Sequence, residues 1–294
     1  MNQKAVAEKT RVALTSVFAA IFLTGSKLTI GIMTGSLGIL SEALHSGLDM
    51  IAAIITYFSV RISDKPADED HHYGHGKIEN LSALVETILL LVTCTWIIYE
   101  AIHRLATGKL HIEITYWSYI VVIGSVIIDY TRSRVLMRAA KKHNSQALEA
   151  DALHFSTDIW SSLVVLFGLI CYQVGLHIAD SIAALMVSLI VIYISYKLGK
   201  RSISVLLDTA PADQVKTVED AVRGVTEVTS FHDVRIRNAG ADVFVDICIH
   251  VNPKLTMEEG HQKADKVEAR IKRAIDRCTV HIHEEPEEKK NTVF

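Results

Sequence analysis

Six long apolar stretches constrain this chain more than any other feature of its sequence. Each stretch is close to the ~20 residues that a helix needs to cross the hydrocarbon core of a bilayer. The chain has 294 residues, half of them hydrophobic, with a mean hydropathy of +0.28. We therefore predict a membrane-embedded, all-α domain of six transmembrane helices. The predicted limits of the helices are 12–33, 38–62, 81–104, 114–134, 148–173 and 178–199.

Basic residues gather on one side of these stretches. The opposite loops carry only Arg104 and Lys109. The positive-inside rule assigns the basic side to the cytoplasm, so we expect a multi-pass protein of the inner (plasma) membrane with both termini in the cytoplasm. The basic residues on that side are Lys4, Lys9, Arg11, Arg61, Lys65, Lys77, Arg132, Arg134, Arg138, Lys141, Lys142, Lys197, Lys200 and Arg201.

From about Asp208 the chain has the composition of a soluble domain. Alternating apolar residues predict strands, and Thr256 with Glu259 forms a capping-box pattern at the start of a helix. The order αββαβ favours a small cytoplasmic α+β sandwich. We predict domains at 1–207 and 208–294. The predicted elements of the second domain are a helix at 211–223, strands at 228–237 and 243–251, a helix at 256–276 and a strand at 280–284.

Two patterns inside the apolar stretches carry the chemistry, His45-x-x-x-Asp49 and His154-x-x-x-Asp158. Each places an imidazole and a carboxylate one turn apart on one helix face. A carboxylate at bilayer depth costs about 2.5–3.5 kcal/mol. The four side chains offer two nitrogens and two oxygens, which suit a tetrahedral divalent metal such as zinc. The alternative is two unrelated buried polar pairs, each internally hydrogen-bonded.

These ligands also titrate. Metal binding requires neutral imidazole and ionised carboxylate, so protons compete with the metal. An intramembrane ionisable cluster usually marks an ion path. A site of this kind that alternates between the two faces of the membrane would exchange metal for protons.

The loop after the second stretch is rich in histidine and acid. Asp68, His71 and His75 predict a second metal site there, with Asp70 and His72 as substitutes. The alternative is a solvated polar loop.

The C-terminal domain predicts a third metal site, either regulatory or bridging a dimer. The four cysteines form no Cys-x-x-Cys pair, and their spacing favours reduced thiols. A thiolate ligand from Cys248 would bias the site toward softer ions such as zinc. Exposed polar faces are the alternative. The candidate ligands are His232, Cys248, His250, His261, His281, His283, Glu284 and Glu285.

Together these residues resemble the cation diffusion facilitator family, in particular its YiiP-like bacterial members. The resemblance covers nearly the whole chain and includes the Gly74-His75-Gly76-Lys77 segment. It implies a homodimer of six-helix subunits with a metallochaperone-like cytoplasmic domain. It also implies that the dimer exports a divalent metal in exchange for protons.

By position, the resemblance makes His45, Asp49, His154 and Asp158 the transport site. Asp68, His71 and His75 would be the loop site, and His232, His261 and His283 best match the tail site. Lys77 would pair with an aspartate after the sixth helix, here Asp208, and lock the dimer. Two departures stand out. Some relatives have aspartate in place of His45. In the tail, Cys248 and Glu285 replace histidine and aspartate, so His250 is an alternative ligand to Cys248.

We therefore expect a Zn²⁺/H⁺ antiporter that works by alternating access. It is not expected to be an enzyme or to bind nucleic acid. Zn²⁺ would be the substrate and also a bound structural or regulatory ion. An exporter of Fe²⁺, Mn²⁺, Co²⁺, Ni²⁺ or Cd²⁺ is the alternative within the same class. The distant alternatives are a membrane-anchored metal sensor and an intramembrane metalloenzyme, and the chain lacks the His-Glu-x-x-His motif of the latter.

Overall fold

The computed structural model describes residues 3–34, 37–107, 116–173, 179–225 and 228–287. The chain divides into two compact units, Met1–Ile203 and Ser204–Phe294. The first residues of the predicted fourth and sixth stretches, 114–115 and 178, lie outside the described residues. The helices are α1 (Gln3–Thr34), α2 (Leu37–Ser63), α3 (Lys77–Thr107), α4 (Tyr116–His143), α5 (Gln146–Gln173), α6 (Ala179–Leu206), α7 (Ala212–Arg223) and α8 (Met257–Ala274). The strands are β1 (Ser230–Ala239), β2 (Asp242–Val251) and β3 (Cys278–Pro286).

The helices of the first unit pack closely through small side chains. Helix α1 packs along α2 and α4 along α5, while α2 also contacts α5. Ala13, Ala147 and Ala152 are fully buried where these helices meet, and their size lets the backbones approach. Phe155 and Leu136 fill the remaining space. This packing brings together the two helices that carry the His-x-x-x-Asp patterns.

The surface of the first unit is apolar in the way that lipid contact requires. Phe22, Trp96 and Tyr193 expose 65%, 68% and 67% of their surface. Exposed apolar area of this extent is unfavourable in water and favourable against acyl chains. By length and composition, three segments of the described helices can cross a membrane: Lys4–Met33, Ala43–Ser63 and Lys77–Thr107.

Helix α4 is longer than the apolar stretch that predicted it. The sequence predicted a span at 114–134 and assigned Arg132 to the basic segment after it. In the structure α4 continues to His143, and the Arg132 side chain is buried. Hydropathy marks only the lipid-exposed part of a helix, whereas Arg and Lys are good helix formers and extend it.

The second unit is a three-stranded sheet with two helices on one face. The strand order is β1-β2-β3, with β1 antiparallel and β3 parallel to β2. Val245, Ile247 and Ile249 of β2 are buried in the core that Val267 of α8 and Val222 of α7 share. The prediction of an αββαβ domain is confirmed. Phe244, Asp246, Cys248 and His250 alternate with the core residues and so lie on the other face of the sheet.

Local sequence signals explain the ends of these elements. The Thr256 side chain accepts the backbone N–H of Glu259, whose carboxylate accepts the backbone N–H of Thr256, so the predicted capping box begins α8. Gly240 has φ +61° in the turn between β1 and β2, a conformation that costs glycine little. A bulge lies between His232 and Arg235. Bulges of this kind re-aim side chains, and this one leaves His232 directly opposite Cys248.

Candidate metal centres

The two His-x-x-x-Asp pairs meet between α2 and α5. His154 Nε2 lies 2.9 Å from Asp49 Oδ1 and 3.6 Å from Asp158 Oδ2, and His45 Nε2 lies 3.6 Å from Asp158 Oδ1. Ligand atoms of His45, Asp49 and Asp158 all fall within 4.8 Å of one another. Each histidine therefore faces a carboxylate of the other helix. The crossing joins the two pairs into one cluster; the mutually close set has three members, and His154 adjoins it through Asp49 and Asp158.

Hydrogen bonding defines the role of His154 in this arrangement. His154 Nε2 lies within hydrogen-bond distance of Asp49 Oδ1, at 2.9 Å, and 3.6 Å from Asp158 Oδ2. A cation at this position would compensate the charges of both carboxylates. Metal and protons compete for these groups, because a metal binds neutral imidazole and ionised carboxylate.

The site borders a small cavity of about 30 Å³. A volume of this size holds one or two small particles, such as a water molecule or an ion. Besides the candidate ligands, the charged residues that line the cavity are Lys27, Asp129 and Arg132.

A charged network surrounds the site. The sequence marks Lys27 and Asp129 as polar residues in apolar helices, with snorkelling or hydrogen bonds between helices expected, but it did not predict the contacts of this network. Arg132 lies 3.3 Å from Asp129 and donates to Ser16 Oγ at 3.0 Å, while Ser16 donates to Asp151 at 3.2 Å. Glu86 of α3 is fully buried and accepts from Thr56. The three-residue spacing of Asp129 and Arg132, with opposite charges on one face of α4, was the available signal.

The loop between α2 and α3 forms a compact cluster around Asp68. Its Oδ1 lies 3.0 Å from His71 Nδ1, its Oδ2 lies 3.4 Å from His75 Nε2, and the two histidine rings are 4.3 Å apart. The His71 backbone N–H donates to Asp68 and is the main cause that lowers the pKa of this carboxyl. The Asp68 carboxyl therefore stays ionised to a lower pH than an ordinary carboxyl, and its ionised form can bind a cation. His72 instead contacts the Glu69 carbonyl oxygen.

Glu285 is the centre of the C-terminal candidate site. Its Oε2 lies 3.4 Å from His232 Nε2 and 3.8 Å from His250 Nε2, and its Oε1 lies 3.5 Å from His283 Nε2. Register explains the cluster, because His232, Cys248 and His283 form one cross-strand row and His250 pairs with Glu285 in the next. His232, His250 and Glu285 offer ligand atoms within 4.8 Å of one another.

Distances in this cluster favour the histidines over the thiol, because the group of ligand atoms within 4.8 Å of one another comprises His232, His250 and Glu285 and does not include Cys248. The hydrogen bond from His232 is the main cause that lowers the pKa of Glu285. Burial, and then the charge of Glu285, raise the pKa of Cys248.

The remaining predicted residues lie elsewhere. His261 is exposed on α8, with Nε2 3.8 Å from Asp265, and the structure does not bring it to the Glu285 cluster. The helix packs on the core face of the sheet, opposite to the face of that cluster. Lys77 begins α3 and Asp208 follows α6 with φ +56°. The ion pair predicted between Lys77 and Asp208 stays a prediction.

Comparisons with known proteins agree on one family. The family of the cation efflux transmembrane domain matches residues 13–207, and that of the cation efflux protein cytoplasmic domain matches residues 210–287. The cation-efflux pump FieF of Shewanella oneidensis is 31% identical over 92% of each chain. The magnetosome protein MamB of Paramagnetospirillum magneticum is 32% identical over 87% of each chain. The manganese efflux system protein MneS of Bacillus subtilis is 29% identical over 95% of this chain and 96% of its own.

Proposed function

Because the chain belongs to the cation efflux family, we propose that it exports Zn²⁺ from the cytoplasm in exchange for protons. Family membership supports a membrane transporter of divalent cations rather than an enzyme. The crossing of the two His-x-x-x-Asp pairs between α2 and α5 carries the proposal. We propose His45, Asp49, His154 and Asp158 as the ligands of the transported ion.

The donor set supports zinc as the transported metal. Two imidazole nitrogens and two carboxylate oxygens satisfy the tetrahedral preference of Zn²⁺. Mg²⁺ holds its waters in an octahedron and prefers oxygen ligands. The four side chains therefore favour zinc over the abundant magnesium ion.

The contact of His154 with both carboxylates supports proton coupling. Its Nε2 lies 2.9 Å from Asp49 and 3.6 Å from Asp158. A metal that enters the site would displace protons from doubly protonated histidine or from protonated carboxyls, and protons arriving from the other face would bind these groups and help to expel the metal. The inward flow of protons would thus drive the export of zinc.

The arrangement in the cell follows from charge and from family. We propose that the basic ends of α1, α2 and α4 face the cytoplasm, as the positive-inside rule requires. Two chains would form a homodimer in the inner membrane, locked by Lys77 and Asp208. The domains would be residues 1–207 and 208–294, and the second would pair across the dimer.

The cluster around Asp68 supports a second metal site, which is more exposed than the proposed transport site. Asp68 and His71 have side chains exposed by 52% and 56%, so this site would exchange ions with the cytoplasm readily. We propose that it collects zinc for the transport site. Removal of Asp68, tested by Asp68→Ala, is expected to lower the zinc bound per chain, whereas Asp70→Ala keeps wild-type binding because only its backbone contacts Asp68.

For the C-terminal site we propose His232, His250 and Glu285 as ligands and His283 as a close neighbour, with zinc in a structural or regulatory role. At micromolar zinc, His250→Ala is expected to lower the zinc bound by the purified chain by about one ion. Cys248→Ala is the matched control and is expected to retain the ion, because Cys248 is not among the ligand atoms that lie within 4.8 Å of one another. Equilibrium dialysis with elemental analysis measures both, and the opposite result would make Cys248 the ligand.

Transport itself is tested with the full-length protein reconstituted into proteoliposomes. Uptake of zinc, iron(II), manganese and cadmium is measured against protein-free vesicles. The proposal expects zinc to be taken up fastest. Manganese is the second candidate, because the 29% identical relative MneS is named a manganese efflux system protein. No uptake of any of these ions by correctly folded protein would contradict transport and favour a membrane-anchored sensor.

A further inference from the structure

Two cationic side chains line the cavity beside the candidate transport site. Lys27 and Arg132 share it with the carboxylates of Asp49, Asp129 and Asp158. A site built to receive a divalent cation gains affinity from carboxylates and loses it from fixed positive charges. Lys27 and Arg132 would therefore weaken metal binding in this cavity, so their role is not that of a ligand.

Arg132 is explained by its contacts. It lies 3.3 Å from Asp129, donates to Ser16 at 3.0 Å and stacks 3.6 Å from the centre of the Phe155 ring. A guanidinium fixed by three partners acts as a structural tie between α4, α1 and α5. Its charge is largely balanced by Asp129.

Lys27 has different surroundings. It lies deep in α1, is 6% exposed, and donates to Ser46 Oγ at 2.8 Å. Ser46 directly follows the candidate ligand His45 and lies three residues before Asp49 on α2, so a neutral hydroxyl holds the ammonium next to the ligands. Lys27 also lines the same cavity as Asp49 and Asp129.

We propose that Lys27 is a built-in counter-cation that lowers the affinity of the transport site for its metal and thereby speeds the metal's release. The inference rests on the proposed transport function and adds a residue that is not a ligand. With Lys27 present, a divalent ion enters a cavity in which part of the negative charge is already compensated. Bound metal is consequently repelled by the ammonium beside it, which a transporter needs because an ion held too tightly does not leave.

We expect the charge of Lys27, rather than its hydrogen bond to Ser46, to determine KM and kcat for zinc. Removing one unit charge about 6 Å from a bound divalent ion is expected to tighten binding about tenfold at the dielectric of water, which sets the lower limit for a site inside a protein. Lys27→Gln keeps a donor for Ser46 and removes the charge. Lys27→Met removes both, and Lys27→Arg keeps the charge.

Zinc uptake by proteoliposomes separates the two roles. Lys27→Gln and Lys27→Met are each expected to lower KM about tenfold and to lower kcat by a similar factor, whereas Lys27→Arg stays close to wild type. Isothermal titration of zinc into the detergent-purified variants is expected to show the same tightening. If KM and zinc affinity of Lys27→Gln are unchanged or weaker, the counter-cation role is wrong and Lys27 serves only packing between α1 and α2.

Asp158→Ala, measured alongside, distinguishes this inference from the proposed function. If Asp158→Ala is inactive while Lys27→Gln shows wild-type KM, only the counter-cation role fails. If Asp158→Ala transports zinc like wild type, the proposed transport site itself fails. Should Lys27→Met fold poorly, Lys27→Gln carries the test, because it preserves the contact with Ser46.

Discussion

Asp158→Ala is expected to abolish zinc transport, with a loss of at least about a hundredfold in the initial rate of uptake. The Asp158 carboxylate contacts His45 and His154 from its two oxygens, each at 3.6 Å. Removing it would take away a proposed ligand and one of the two carboxylate charges of the proposed site, so metal affinity is expected to fall steeply. The measurement is zinc uptake into proteoliposomes that contain equal amounts of folded protein.

The control for Asp158→Ala is the same substitution at an exposed aspartate. Asp276 follows α8 at the surface of the C-terminal unit, and Asp276→Ala is expected to transport zinc at the wild-type rate. Surface substitutions of this kind usually change stability by less than about 0.5 kcal/mol. Wild-type uptake by Asp158→Ala would remove Asp158 from the transport site.

His45→Asp is expected to change which metal is carried rather than whether metal is carried. The substitution converts a site of two nitrogens and two oxygens into one of three carboxylates and a single imidazole. Carboxylates accommodate cations larger than zinc and higher coordination numbers, so the preference for zinc over cadmium and manganese is expected to fall about tenfold. Uptake ratios of zinc to cadmium and of zinc to manganese measure this change.

His103→Asp is the matched control for His45→Asp. His103 is an exposed residue of α3 that stacks on Tyr99, and it makes no contact with the described ligands of the candidate sites. The variant is expected to keep the wild-type ratios. Unchanged uptake ratios in His45→Asp would show that His45 does not determine metal selectivity. The main chemical argument for zinc as the transported ion would then be lost.

Features with a short repeat were predictable from the sequence. A four-residue spacing places His45 with Asp49, and a two-residue alternation places the valines and isoleucines of β2 in the core. The capping box of Thr256 and Glu259 is likewise local. In each case the partners are close in sequence, so backbone geometry alone determines which side chains meet.

Contacts between distant segments were not predictable in the same way. The tie between Arg132, Ser16 and Asp151 joins three helices, and only their packing brings these residues together. The tail cluster depends on strand register and on the bulge after His232. Cys248 and His250 lie on the same face of β2, and only the pairing with β3 sets His250 rather than Cys248 opposite Glu285, so the sequence left the choice between them open.

We propose that zinc and protons exchange at the site formed by His45, Asp49, His154 and Asp158. Zinc uptake into proteoliposomes that contain a pH-sensitive dye, at several internal pH values and a constant external pH, tests this exchange. We expect faster zinc uptake as the interior becomes more acidic, and a rise in internal pH as zinc enters. Zinc uptake that neither responds to the pH gradient nor changes the internal pH would contradict it.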